Sequence, residues 1–447
     1  MAEDKSKEFA THVKKMLLEN HNIILHGAPG TGKTYLAREI AKAICGNKDI
    51  KELEESGQFK MVQFHPSYDY TDFVEGLRPT DKNEKGEVVK DIHFVRTDGI
   101  FKDFCKKAVE TCSVYSIPPT YNEVFKILYD KVKDKKIEYY DGNEKLKING
   151  EKIQYYYGGS WRNYNYLEYI YNHFISQNDL DIDKIVGPEI HPIVVKHVTG
   201  VKSGVDQAPH KWAIQQLLYI AKSYPPKFIF LIDEINRGDM SKIFGELFFS
   251  IDPGYRVRMD KKDEAIKIKT QYQNLVKKTY KDKDGNEFDD PFYEGFYIPD
   301  NVYIIGTMND IDRSVESMDF AMRRRFQFIE VKPEHRADSM FSDANGKKHK
   351  KYDVAKAGME AINGALKELG FEESYYIGPS YFIKLAKGEE SADNLWDYRL
   401  ESLLREYLRG DEGRCKKIET LKGKFNEAVK NAEPIEVQEK EVAQSPE

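Results

Sequence analysis

Residues 27–34 read Gly27-Ala28-Pro29-Gly30-Thr31-Gly32-Lys33-Thr34, a full match to the phosphate-loop pattern G-x-x-x-x-G-K-[ST]. The apolar segment 22–26 before it predicts a buried strand, and apolar residues at helical spacing over 34–45 predict a following helix. Glycines let successive backbone N–H groups curl around phosphate oxygens, and the helix N-terminus adds its positive end. The pattern predicts a nucleotide phosphate site in which Lys33 contacts the β- and γ-phosphates and Thr34 binds Mg²⁺.

A second apolar strand, 228–232, ends in the acid pair Asp233 and Glu234. Such a pair can hold Mg²⁺ through water with its first carboxylate and polarise the attacking water with its second, as a general base. A strand that ends in acids can also simply cap the helix that follows. Because the phosphate loop lies earlier in the same chain, the sequence favours Asp233 as a metal residue and Glu234 as the base.

Two further segments leave alternatives open. Asn309 follows another predicted strand, 302–306, where its side chain could hold the attacking water or form a turn into the next helix. Arg323, Arg324 and Arg325 end a helix that begins near residue 317. They could satisfy the last carbonyls of that helix, or one could reach the γ-phosphate bound by a neighbouring subunit. Only the second interpretation requires a ring of subunits.

The order of elements predicts the fold class. Short apolar strands alternate with amphipathic helices, which is typical of a parallel α/β sheet covered on both faces, with its site beyond the carboxyl ends of the strands. Two segments interrupt this alternation. Residues 113–185 predict a small inserted α+β subdomain, with helices at 121–132 and 164–176 and strands at 137–140, 145–148 and 153–157. Residues 259–299 predict a charged β-hairpin.

Aromatic residues are dense in the first of these insertions. The stretch 113–174 holds 15 Phe, Tyr and Trp residues, including Tyr155, Tyr156, Tyr157 and Trp161. Exposed aromatic rings beside basic residues could stack on nucleic-acid bases. Lysines and acids are mixed through the stretch, however, so we favour the interpretation that these rings form the core and rim of the insert.

Composition excludes several classes of protein. The chain has 447 residues, a formal net charge of −6 and no apolar run near the ~20 residues that a membrane helix needs. Its N-terminus is charged and has no signal core, so we expect a cytoplasmic protein without a membrane partner. The four cysteines form no CxxC pair, which argues against a disulfide scaffold or a zinc finger. The near-neutral balance neither requires nor excludes a nucleic-acid partner.

At this point the sequence resembles a known family, the McrB branch of the AAA+ NTPases. The phosphate loop is joined by FLIDEINR at 230–237 and by TMNDIDRS at 307–314, which contains the MNxxDRS signature of that branch. Supporting segments are FHPSYDYTDFVEGLRP (64–79), FYIPDNVYIIG (296–306), MDFAMRRRF (318–326) and IGPSYF (377–382). The resemblance covers roughly residues 20–410, apart from much of the two insertions.

The resemblance implies roles that spacing alone does not show. Asn309 would be the sensor that positions the catalytic water, and Asp312 and Arg313 would act at the subunit interface. Arg324 or Arg325 would be the arginine that acts in trans. A helical lid would place IGPSYF close to the nucleotide. The family implies a homo-hexamer that binds Mg²⁺ with GTP or ATP, a McrC-type nuclease partner, and restriction of modified DNA bound through the assembly.

We expect the following domains: an N-terminal helix (1–20), a nucleotide-binding core (21–112 and 186–332), the insert (113–185), a helical lid (333–430) and a disordered tail (431–447). The phosphate loop begins at Gly27, so no DNA-reading domain is expected before it. Recognition of a modified base would then fall to another subunit or to the insert. The expected lack of a DNA-reading domain favours one alternative function, a MoxR-like ATP-dependent chaperone that remodels a protein partner without DNA. The MNxxDRS signature argues against this alternative.

Overall fold

The structure is a computed structural model that describes most of the chain. The longer described segments are 2–46, 48–82, 88–113, 121–133, 146–149, 152–157, 160–163, 225–258, 266–281, 287–311, 320–343 and 346–433. The predicted strand 137–140, most of the predicted helix 164–176 and the tail from residue 434 onward lie outside the described residues.

The strands of the described segments are β1 (Asn22–Gly27), β2 (Phe59–Gln63), β3 (Glu75–Lys82), β4 (Val88–Asp98), β5 (Leu146–Asn149), β6 (Lys152–Tyr157), β7 (Ser160–Asn163), β8 (Phe228–Asp233), β9 (Thr279–Lys281), β10 (Glu287–Asp289), β11 (Val302–Asn309) and β12 (Gln327–Glu330). The α-helices there are α1 (Ala2–Asn20), α2 (Lys33–Ile44), α3 (Ile50–Glu55), α4 (Tyr70–Phe73), α5 (Ile100–Ser113), α6 (Tyr121–Lys133), α7 (Met240–Phe244), α8 (Phe320–Arg323), α9 (Pro333–Met340), α10 (Tyr352–Glu368), α11 (Ile383–Lys387), α12 (Ala392–Leu395), α13 (Glu401–Tyr407) and α14 (Arg414–Ala432).

Five strands form one parallel sheet in the order β12–β1–β11–β8–β2, which confirms the predicted fold class. Its register aligns Gly27 with Asn309, and Gln63 with Asp233. The carboxyl ends of β1, β11 and β8 therefore meet at one edge, where the phosphate loop, the predicted sensor and the acid pair all lie. This edge is the position that parallel sheets use for ligand sites.

Apolar side chains cover both faces of this sheet, because successive residues of a strand point to opposite sides. In β8, Phe228, Phe230 and Ile232 pack with the aromatic rings of α4 and α5. Ile229 and Leu231 instead belong to the core on the opposite face, which α1 and α2 cover. All five of these side chains are fully buried.

Three elements differ from the sequence-based expectation. A hairpin of β3 and β4 stands between α4 and α5, and β12 forms an edge of the sheet; neither was predicted. The residues after the acid pair also predict one helix over 241–250, which the structure interrupts, since α7 ends at Phe244 and Gly245–Phe248 continues as a tighter 3₁₀ turn. Gly245 has a φ of 49°, in the left-handed region that an α-helix cannot continue through.

Part of each insertion is described. In the first, α6 contacts β5 and β6 of the β5–β6–β7 sheet. Ile148 pairs with Ile153 across β5 and β6, which agrees with a hairpin between the predicted strands 145–148 and 153–157, where the sequence Asn149-Gly150 favours a tight turn. In the second, β9 and β10 pair as an antiparallel hairpin, with Lys281 opposite Glu287. The turn residues 282–286 lie outside the described residues.

The C-terminal helices form a lid with its own hydrophobic core. Trp396, Phe425 and Ile362 are fully buried within it, between α10 and α14. The predicted helical lid is thus confirmed. The N-terminal helix α1 also contacts the start of this region, where the Ser6 hydroxyl donates to the backbone carbonyl of His335 at 2.7 Å. Among the described residues, no helix has the length and apolarity required to cross a membrane.

Candidate functional site: a phosphate loop facing two strand ends

The phosphate loop joins β1 to α2 through glycines in conformations that other residues rarely adopt. Gly30 and Gly32 each have a φ of 78°, in the left-handed region. The Lys33 ammonium is buried and donates to the backbone carbonyls of Gly27 at 3.1 Å and Ala28 at 2.8 Å. The loop therefore has the compact, glycine-dependent turn that the motif predicts.

Burial and nearby charges shift the pKa of Lys33 in opposite directions. Burial lowers the pKa of its ammonium to about 8, while nearby carboxylates, of which Asp310 contributes most, oppose this shift. A bound phosphate would add negative charge and favour the protonated form further. The lysine thus lies where an anion would hold it in its charged state.

A chain of hydrogen bonds links the loop to both neighbouring strand ends. The Asp233 carboxylate accepts hydrogen bonds at the same oxygen from the Thr34 hydroxyl at 2.7 Å and the Thr307 hydroxyl at 2.6 Å. Carboxylate and hydroxyl oxygens are hard ligands of the kind that Mg²⁺ takes in nucleotide sites. The chemistry of Thr34 and Asp233 therefore fits the magnesium role predicted for them.

Glu234 lies beside this chain in an uncommon backbone conformation. Its φ of 52° is left-handed, which is strained for a non-glycine residue and is frequent at functional sites. Its N–H donates to the Thr307 hydroxyl at 3.2 Å, and its carboxylate accepts a hydrogen bond from the Asn309 amide at 2.8 Å. The Arg237 guanidinium is 3.5 Å from the other carboxylate oxygen. The predicted base and sensor are therefore in direct contact.

Sequence reasoning missed a second pair at the same edge. The Nδ1 atom of His26 lies 3.0 Å from the carboxylate of Asp310. His26 is the residue before the phosphate loop, and Asp310 is the residue after the predicted sensor Asn309. The Asp310 N–H also donates to the Gly27 carbonyl at 3.3 Å. This pair ties the start of the phosphate loop to the strand that carries Asn309. Asp310 occupies a variable position of the MNxxDRS signature, but no signal in the sequence pairs it with His26 across two strands.

The three arginines at the end of α8 have different surroundings. Arg323 and Arg324 are exposed. Arg325 is buried: its guanidinium donates to the Ala321 carbonyl at 2.6 Å and lies 4.2 Å from the centre of the Phe248 ring. Arg325 thus points into its own subunit, a geometry that disfavours the trans role predicted for it.

Comparison with known proteins identifies the family. The model of the AAA domain (dynein-related subfamily) matches residues 22–147 and 199–326, which contain the phosphate loop, the acid pair and the sensor. The chain belongs to this AAA family. The McrB alpha-helical lid domain matches residues 355–416 of the lid. Together the two matches make the chain a McrB-type AAA+ protein, as the resemblance in its motifs indicated.

Two restriction enzymes are among its relatives. The Type IV methyl-directed restriction enzyme EcoKMcrB subunit of Escherichia coli (strain K12) is 26% identical over 389 residues, covering 86% of this chain and 52% of the relative. The Type II restriction enzyme BsuMI component YdiS of Bacillus subtilis (strain 168) is 28% identical over 203 residues, covering 44% of this chain and 52% of the relative. The chain spans about half the length of the curated relatives that it matches.

The lid contacts the phosphate loop of the AAA domain directly. The Gly378 N–H donates to the Pro29 carbonyl at 3.1 Å, and the Ser380 N–H donates to the Gly30 carbonyl at 3.0 Å. The segment IGPSYF therefore lies against the loop, where the family resemblance places it. Two predicted AAA+ residues, Asp312 and Arg313, lie outside the described residues.

Proposed function

We propose that this chain hydrolyses a nucleoside triphosphate, GTP or ATP, with Mg²⁺. One observation carries the proposal: Thr34, Asp233 and Thr307 form a continuous hydrogen-bonded chain beside the Asn309–Glu234 contact. The strand register brings hydroxyl and carboxylate groups from three separate segments together beside the glycine-rich loop. They are the side chains that magnesium binding and water activation require.

The proposed reaction is attack of water on the γ-phosphorus. Glu234 accepts a proton from that water, Asn309 orients Glu234 and the water, and Lys33 compensates the charge of the phosphate oxygens. The bond from the γ-phosphorus to its bridging oxygen breaks, giving the nucleoside diphosphate and inorganic phosphate. Mg²⁺, held by Thr34 and Asp233, would neutralise charge that develops on the β- and γ-phosphates.

We further propose a ring, most simply a homo-hexamer, that completes each site with an arginine from the next subunit. Arg324 is the better candidate, since it is exposed whereas Arg325 is buried in its own subunit. We also propose the domain division stated above, with residues 21–112 and 186–332 as the core and 333–430 as the lid. The match of both a AAA domain and a McrB-type lid supports this arrangement.

The relatives support a biological role in DNA restriction. We propose that the chain is the motor or regulatory subunit of an anti-phage restriction complex, with a McrC-type nuclease as the subunit that cuts DNA. The printed names of both relatives describe components of restriction enzymes. In this role, nucleotide turnover would drive movement along DNA or activate the nuclease.

The test is phosphate release by the purified chain with GTP or ATP, with and without Mg²⁺ and double-stranded DNA. Glu234→Gln should bind nucleotide but turn over at least ~100-fold more slowly, because the base has been removed. Glu368→Gln, which changes an exposed carboxylate of α10, is the matched control and should hydrolyse normally. Normal turnover by Glu234→Gln would exclude Glu234 as the base, and ATP-only turnover that ignores DNA would favour the chaperone alternative.

A further inference from the structure

The lid touches the phosphate loop through an approach that only glycine permits. A Cβ atom added to Gly378 would lie 2.1 Å from the backbone carbon of Gly30 and 2.4 Å from the nitrogen of Thr31. Atoms this close collide, so the backbone of residue 378 must lie directly against the loop. Gly30 is equally restricted from its own side, since a Cβ there would be 2.5 Å from the Ser380 hydroxyl oxygen.

The contacting segment is held rigidly by the lid. Asn363, buried on α10, forms two hydrogen bonds with the backbone of Ile377: its amide donates to the Ile377 carbonyl at 3.1 Å and its oxygen accepts the Ile377 N–H at 2.8 Å. Phe382, at the other end, is fully buried in the lid core. Residues 377–382, which we name the lid strap, are therefore anchored at both ends.

The two strap hydrogen bonds determine the direction of the loop amides. In a trans peptide the C=O and the following N–H point in opposite directions. The carbonyls of Pro29 and Gly30 are turned toward the strap by its N–H groups. The N–H groups of Gly30 and Thr31 must then point away from the lid. These amides belong to the phosphate-loop motif, whose N–H groups bind phosphate oxygens.

We propose that the lid strap positions the phosphate-binding amides, with Gly378 and Ser380 as positioning residues. The inference rests on the proposed nucleotide site and deepens it, because it names a part of the lid that tunes affinity without touching the reacting atoms. Because the strap N–H groups hold the carbonyls of the loop, the strap should reduce the entropy cost of ordering the loop amides when phosphate binds. By linkage, bound nucleotide strengthens the attachment of the strap by the same factor.

The test compares nucleotide affinity in two pairs of full-length variants. Gly378→Ala displaces the strap, whereas Gly364→Ala is its control, since a Cβ at Gly364 meets no atom within 4 Å. Ser380→Pro removes one strap N–H, whereas Ser380→Ala retains it. Equilibrium titration with a fluorescent, non-hydrolysable GTP analogue and Mg²⁺ gives Kd, and a thermal melt confirms that each variant is folded at the titration temperature.

We expect Kd to rise about fivefold for Ser380→Pro, which loses one hydrogen bond, and about tenfold or more for Gly378→Ala, with both controls within twofold of the parent. An unchanged Kd in both strap variants, while the parent binds, would contradict the proposed positioning role of the lid strap but not the proposed nucleotide site. A lower melting temperature at unchanged Kd has the same meaning, because it shows a purely structural role. Failure of the parent to bind would overturn the proposed function and the strap together.

Discussion

Replacing Thr307 with valine removes one hydroxyl and leaves the shape of the side chain nearly unchanged. That hydroxyl donates to the Asp233 carboxylate at 2.6 Å and accepts the Glu234 N–H at 3.2 Å. The residue is 2% exposed, so water cannot readily replace either bond. The change therefore tests whether buried Thr307 positions Asp233 and Glu234, the proposed metal ligand and the proposed base.

The expected magnitude follows from these two bonds. A hydrogen bond to a charged group contributes about 1.5–3 kcal/mol, and an unsatisfied buried N–H costs a further ~1–3 kcal/mol. If only the lost hydrogen bond to the Asp233 carboxylate destabilises the transition state, kcat/KM falls about 10- to 150-fold. The second loss, an unsatisfied buried N–H, acts on folding and should lower the melting temperature by about 1–3 °C for a chain of 447 residues.

The assay is phosphate release at saturating Mg²⁺, with nucleotide Kd and a melting curve measured on the same preparation. Thr307→Ser retains the hydroxyl and should keep most of the activity. Thr420→Val is a control on α14, where the exposed Thr420 hydroxyl donates to the Lys416 carbonyl of its own helix. Turnover by Thr307→Val within twofold of the parent would refute the argument, because Asp233 and Glu234 would then be positioned without it.

Two further predictions concern the arginines and a buried ion cluster. Arg324→Ala should reduce turnover ~10³-fold or more without changing the melting temperature. Arg325→Ala should lower the melting temperature, because it leaves a cavity against the Phe248 ring. Phosphate release and melting curves distinguish the two variants, and the opposite pattern would assign the trans role to Arg325. Burial alone would raise the pKa of Glu75, but the hydrogen bond and charge of buried Lys102 outweigh it and lower this pKa from 4.5 to about 2. The pairing therefore stabilises the fold above about pH 4.5 and is lost as the pH falls toward 2, at a cost of about 3 kcal/mol. Urea unfolding at pH 5 and pH 3 should show this slope in the parent and a flatter one in Glu75→Gln; equal slopes would contradict it.

Much of the fold was predictable because its signals are local. The central strands β1, β8 and β11 contain apolar runs and the helix α2 has apolar residues at helical spacing, so the parallel sheet follows from the order of elements. The β3–β4 hairpin was missed because β3 is mostly polar and contains Pro79. Its two strands pair directly, and Glu75 adds side-chain contacts by accepting hydrogen bonds from Arg96 of β4, from Lys102 and from the Tyr272 backbone.

The candidate site likewise combines features that were predictable from the sequence with features that were not. The phosphate loop and the acid pair were recognisable, since their residues are contiguous and their chemistry depends on spacing along the chain. The different burial of Arg324 and Arg325 was not predictable, because both lie in the turn after α8 and only packing against the Phe248 ring shows which one is buried. His26 and Asp310 pair for a reason equally absent from the sequence, the parallel alignment of β1 with β11.

The residue pattern alone was enough to predict a phosphate loop, a parallel α/β sheet and membership of the McrB branch of AAA+ proteins. The phosphate loop and the sheet depend on neighbours in sequence, through backbone freedom at glycine and the periodicity of apolar side chains, whereas the family was indicated by the resemblance of the motifs. The tertiary structure decided that Thr307 bridges the two acids, that Arg325 faces inward and that the lid strap presses Gly378 onto the loop. Each of these contacts joins segments far apart in the chain, so its existence depends on strand register and on how the lid docks.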